Sequence, residues 1–213
     1  MRRRTFLKGM GIATGMAVFK GWGREALAAD ESGQARIVFE NFPLHKQETP
    51  YTCGPASLRM VLEYLGHPLS EAEIAKKMGT KPKVGTSFWQ MNRACNFYLK
   101  KFNTGLKARD KIGKAANDRL IFESIDRDRP VIFTWIAENH FDPGKLVGHY
   151  SVAIGFDKTR REFTIANPFG KIHPVDFDRF WRLCAWNPAA GDIPNVKSKK
   201  RILRLPPDLV ILQ

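Results

Sequence analysis

The apolar residues of this chain change their spacing partway along, and that change constrains the fold more than any other feature. Leu58, Val61, Leu62 and Leu65 recur at i, i+3, i+4 and i+7, which places them on one face of a helix that Gly66 stops. Ser70, with Glu73 three residues on, marks the start of a second helix that ends before Gly79. Gly85-Thr86-Ser87 introduces a third through about Lys101, with Phe88, Met91, Cys95 and Leu99 along one stripe. From residue 130 the pattern is different. Val131 to Ile136 is a near-continuous run of β-formers, the mark of a strand buried on both faces. His149 to Phe156 and Glu162 to Ala166 read as two further strands around the polar turn 157–160. A helical first half and a sheet-forming second half predict an α+β fold. Residues 30–46 read as an irregular or extended lead-in, and the basic segment 105–117 as a surface excursion. Asp118 caps a helix through about Arg127, and Pro130 ends it.

The first predicted helix opens on a thiol. Cys53 stands in Gln47-Glu48-Thr49-Pro50-Tyr51-Thr52-Cys53-Gly54-Pro55, directly before the periodic run, and Pro55 suits a first turn where its missing N–H costs nothing. Unpaired amides at a helix N-terminus favour thiolate over thiol, and thiolate is the nucleophilic form. The ordinary alternative is a cysteine packed as a small hydrophobe. Position at the helix start, rather than within its apolar face, favours the reactive reading.

Arg3-Arg4-Thr5-Phe6-Leu7-Lys8, followed by a short Gly- and Ala-rich apolar run to Phe19, has the form of a twin-arginine export signal. Ala26-Leu27-Ala28 offers a cleavage site, so residues 1–28 read as a signal peptide and 29–213 as a single domain. An uncleaved anchor is the second reading. Export implies a periplasmic or extracellular protein and, during export, the twin-arginine translocase as partner. An oxidising compartment pairs thiols, and three cysteines leave one over: Cys95 and Cys184 pair, sparing Cys53, or all three are reduced, while a disulfide through Cys53 would end the catalytic reading or make it redox-gated.

The formal charge of +14 is only partly due to the signal segment. Lys197, Lys199, Lys200, Arg201 and Arg204 cluster near the C-terminus, where weak binding to an anionic surface is an accessory expectation. No aromatic interleaving or nucleic-acid motif accompanies them, so nucleic acid is not an expected partner. His45, His67, His140, His149 and His173 lack ligand spacing, and no cofactor is expected. His140, His149 and Asp142 form the only weak metal alternative, and His173 is a rival base.

The hairpin after residue 148 carries the second half of a possible site. With pairing centred near Lys158, His149 lies directly opposite Asn167, their Cβ atoms about 4.5–5.5 Å apart on one face. A one-residue slip would separate them. An amide oxygen accepting from the imidazole fixes its tautomer, as a general base beside a thiol requires.

Taken in order, Gln47, Cys53-Gly54-Pro55-Ala56-Ser57, Gly85-Thr86-Ser87, Arg129-Pro130-Val131, Gly148-His149-Tyr150 and Asn167-Pro168 give residues 37–175 a recognisable character. The chain resembles the papain-like cysteine peptidases typified by domains that trim double-glycine leaders from bacteriocins. The resemblance implies a papain-like fold with a nucleophile helix packed on an antiparallel sheet. It also implies that Cys53 is the nucleophile, His149 the base and later acid, and Gln47 an oxyanion donor beside the Cys53 N–H. Asn167 stands where the leader peptidases usually carry aspartate. Asparagine serves in papain itself, with a less stabilised imidazolium. The same Cys–His logic is similar to that of phytochelatin synthases, so peptide transfer is an alternative to hydrolysis, and an inactive peptide-binding relative is another. Without transporter spans or a nucleotide motif, double-glycine specificity is not carried over, and the expected partner is a peptide or peptide-bearing envelope material.

Overall fold

The fold is that of a computed structural model describing residues 34–82, 84–185 and 207–213. The export segment 1–28 and the basic cluster Lys197 to Arg204 lie outside the described residues. Helix α1 (Cys53–Tyr64) buries Leu58, Val61 and Leu62 on the predicted face and adds Met60. Helix α2 (Glu71–Met78) is capped by Ser70, whose side chain accepts from the Glu73 N–H, and ends at left-handed Gly79. Helix α3 (Phe88–Lys101) opens with a full capping box between Ser87 and Gln90. Helix α4 (Asp118–Asp126) begins one residue earlier than expected in the chain's chemistry: Asn117, not Asp118, is the cap, accepting from the Leu120 N–H.

The sheet has seven strands. Its main path runs β2-β7-β3-β4-β5-β6, with β1 paired to the far end of β4. Here β1 is Arg36–Val38, β2 Ala108–Ile112, β3 Val131–Glu138, β4 Leu146–Asp157, β5 Glu162–Asn167, β6 Lys171–Asp176 and β7 Asp208–Leu212. Every pairing is antiparallel. Segment 105–117 is therefore not a surface excursion alone, because Ala108 to Ile112 pair with Leu212 to Asp208. The lead-in likewise contributes β1. A last helix, α5 (Phe177–Cys184), is strongly amphipathic and inserts Phe177, Phe180 and Leu183 under the sheet.

One core joins the two halves. Phe180 on α5 packs between Phe133 on β3 and Phe163 on β5, with ring centroids 4.8 Å and 4.7 Å away. Helix α1 packs against β4, and this contact brings the N-terminal half of the chain to the sheet. Among the described residues no helix is long and apolar enough to cross a membrane.

Candidate active site

Cys53 is the first residue of α1. Thr52 caps the helix without a side-chain bond, so the first-turn amides remain unclaimed by that side chain. Gly54 lets α3 approach: a Cβ there would lie 3.1 Å from both Cβ and Oγ1 of Thr86. The preceding loop is fixed from several sides. The Gln47 N–H donates to the Pro168 carbonyl at 2.8 Å, and the Glu48 N–H to Glu71 Oε1 at 2.9 Å. Gln47 Nε2 donates to the Thr49 carbonyl at 2.6 Å, while its Oε1 is buried without a partner. Gln47 is thus held between the loop that leads to Cys53 and the turn that follows Asn167.

His149 on β4 and Asn167 at the end of β5 are joined by a 2.9 Å hydrogen bond, the imidazole Nε2–H donating to Oδ1. They are not direct cross-strand partners. The turn sets Asp157 opposite Glu162 and Gly155 opposite Thr164, but an irregularity at Ile154 then shifts the register to Ala153 opposite Ile165 and Val152 opposite Ala166. Continued, this places Ser151 opposite Asn167, two residues from the expected pairing. The shift matters through parity. Without the extra residue in β4, Val152 would face Asn167, and His149, three residues away, would project from the opposite face. With it, the separation is two, the side chains share a face, and a diagonal pair of this kind is within reach of long side chains.

The chemistry of this arrangement is set by burial. His149 is 2% exposed and Asn167 7%. Loss of water pushes the imidazole down to about 4, although the Asn167 bond opposes the shift. Burial likewise raises the Cys53 thiol above its ordinary value, while backbone hydrogen bonds from Tyr150, Gly54 and Cys53 pull it back. Desolvation thus opposes the thiolate expected from the helix start, and it opposes the imidazolium of His149 as well. Donation from Nε2 leaves Nδ1 as the nitrogen with a lone pair, the form that takes a proton. The Tyr150 amide that reaches the thiol belongs to the residue beside His149.

Phe169 is a site residue that sequence reasoning missed. Its ring stacks on His149 with centroids 4.0 Å apart, and its N–H donates to Asn167 Oδ1 at 2.9 Å. It covers the His–Asn bond with apolar surface, which strengthens that bond by excluding water. Its place two residues after Asn167, just beyond the end of β5, is the available signal. His140 stacks on the outer side of Phe169 at 5.2 Å, and His173 sits on β6, the edge strand. Neither hydrogen-bonds the pair. Among the described residues no group of three His, Cys, Asp or Glu is placed to hold a metal. All three cysteines are free and buried, so Cys95 and Cys184 are not bonded to each other. Burial pushes Cys95 up to about 12 and Cys184 well above the usual thiol range.

A helix that starts on a cysteine and packs on an antiparallel sheet, with a buried His–Asn pair on that sheet, defines the papain-like cysteine peptidase fold. A model of the Peptidase_C39 like family matches residues 39–192, and the chain belongs to that family. Among solved structures, the peptidase domain of Streptococcus ComA, a bifunctional ABC transporter of a quorum-sensing pathway, is similar at 25% identity. Its TM-score is 0.50, with 67% of this chain and 91% of that one covered. A C39-like protein from Bacillus anthracis shares the fold at 16% identity and a TM-score of 0.56, covering 84% of this chain and 98% of that one. Comparison with curated proteins finds no match.

Proposed function

We propose that the protein is an exported thiol peptidase in which Cys53 attacks a peptide carbonyl, His149 moves the proton, Asn167 orients the imidazole and Gln47 helps hold the oxyanion. The observation that carries this reading is the buried 2.9 Å bond from His149 Nε2 to Asn167 Oδ1, which directs the basic nitrogen away from β5. With burial opposing charge on both residues, the thiol proton passes to Nδ1 as Sγ forms its bond to the carbonyl carbon. The tetrahedral oxyanion is stabilised by the Cys53 N–H and by the second Nε2 hydrogen of Gln47. Collapse breaks the C–N bond, His149 returns its proton to the leaving nitrogen, and a thioester stays on Cys53. Water activated by the same imidazole then releases the acid and restores the thiol.

The twin-arginine pattern Arg3-Arg4-Thr5-Phe6-Leu7-Lys8 supports action outside the cytoplasm on peptides or peptide-bearing envelope material. A peptide-library digestion read by mass tests the reading. Wild type is expected to give products, Cys53→Ala and His149→Ala none, and Gln47→Ala a rate lower by about 10²–10³. Equal product from wild type and Cys53→Ala would end the enzyme claim.

A further inference from the structure

Helix α3 carries no Asp or Glu along its 14 residues. At about 3.6 residues per turn, Trp89, Arg93 and Lys100 fall within about 40° of one another, on the side away from buried Met91, Ala94, Cys95 and Tyr98, and Phe97 flanks them. Trp89 is 65% exposed and Phe97 41%, so two large rings forgo much of the energy that burial would give them. Strand β2, packed beside α3, adds a third apolar side chain. Asp110 accepts from the Asn92 side chain and so faces α3, and alternation along the strand puts exposed Ile112 on that same face. Of the seven large apolar side chains that stand exposed among the described residues, these are three.

The charge here is one-sided as well. Arg93 lies over the Trp89 ring at 4.6 Å, and Lys77 of α2 over the Phe97 ring at 3.2 Å. A ring attracts a cation through its quadrupole but does not cancel the charge. Among the described residues no carboxylate lies within ion-pair reach of Lys77, Arg93 or Lys100. The nearby acids are engaged elsewhere, Glu73 with Lys101 and Asp110 with Asn92.

The outward side of a helix is convex, and peptide segments are usually held in grooves or on sheet edges. A ridge of rings and cations suits a flat anionic surface, where Trp and Phe sit at headgroup level and Lys and Arg meet phosphate. We propose that this face docks the protein on a membrane containing anionic lipid, with Trp89, Phe97 and Ile112 seated among the headgroups and Lys77, Arg93 and Lys100 against the phosphates. Docking does not depend on catalysis. It does orient the site, because Thr86, just ahead of α3, lies against Gly54, and the helix that begins with Cys53 therefore starts next to the start of α3.

The test is flotation of the full chain with vesicles of equal parts phosphatidylglycerol and phosphatidylcholine, beside vesicles of phosphatidylcholine alone. Wild type is expected to float with the anionic vesicles and much less with the neutral ones. Arg93→Gln combined with Lys100→Gln is expected to weaken partitioning about tenfold or more, and Trp89→Ala combined with Phe97→Ala to weaken it comparably. Arg160→Gln combined with Lys171→Gln removes the same charge from the turn after β4 and from β6, and is expected to change it little. The export segment and the basic cluster Lys197 to Arg204 are present in every variant, so differences between variants report this face. All these side chains are exposed, and urea midpoints are expected to stay at the wild-type value. Equal partitioning of wild type and either α3 variant, or equal weakening by the Arg160 and Lys171 changes, would overturn the proposal. So would binding to poly-glutamate or a single-stranded oligonucleotide without binding to vesicles.

Discussion

His149 is an imidazole kept out of water, and its properties follow from that. With the folded imidazole at about 4, the acid limb of the pH–rate profile is expected near that value and not near the ordinary 6.5. Asn167→Asp puts a carboxylate against the ring, favours imidazolium, and is expected to move that limb toward higher pH. The same shift has a consequence for stability. Unfolded His149 takes up its proton near 6.5, whereas the folded one resists until about 4, so its contribution is intact above 6.5 and is lost as pH falls through that window. A shift of this size corresponds to roughly 3 kcal/mol. Urea midpoints measured between pH 7 and 4 should therefore fall more steeply for wild type than for His149→Gln. The helix start at Cys53 and the hairpin that carries His149 and Asn167 were legible from spacing and neighbours, whereas Gln47 was named through the resemblance alone. The titration of Cys53 and His149 was not legible, because burial is a property of the assembled core: the N-terminal amides favour thiolate as the sequence suggests, and desolvation opposes them.

At the level of elements, legibility followed locality. Caps and periodicity within a few residues marked α1, α2 and α3, and the continuous apolar run marked β3. Strand β2 was hidden because only Ala108 in Ala-Arg-Asp-Lys-Ile is buried, and its partner β7 begins some hundred residues later. The two-residue difference at the His149–Asn167 hairpin came from the turn, which is centred between Thr159 and Arg160 instead of near Lys158; the irregularity at Ile154, for which the turn chemistry gives no sign, takes back one residue of that offset and restores the shared face. Gly155 beside it is required by close approach of β1: a Cβ would sit 2.6 Å from the Ile37 carbonyl oxygen and 2.8 Å from the Val38 Cα. Backbone cannot yield there as a flexible side chain can. Gly155→Ala is expected to destabilise the protein by about 1–3 kcal/mol, read as a lower urea midpoint with little change in slope.

The sheet of the described residues is closed by strand β7. Strand β7 lies between β2 and β3, and Leu209, Val210, Ile211 and Leu212 are all buried. Each such side chain contributes about 1.5–3 kcal/mol on burial. Together they rival the net stability of about 5–15 kcal/mol that ordinary domains possess. Ending the chain at residue 206 also uncovers the β3 edge, a template for association. The truncated protein is expected to lose its cooperative thermal transition and to aggregate, as circular dichroism and light scattering would record.

In the proposed reaction one thiol, Cys53, carries the acyl group. Intact-mass spectrometry with peptide mapping, after mixing the protein with activated peptide esters, addresses it without knowledge of the natural substrate. A single acyl adduct on Cys53 is expected in wild type and none in Cys53→Ala. An adduct on Cys95 or Cys184, or no adduct while ester is consumed, would contradict it.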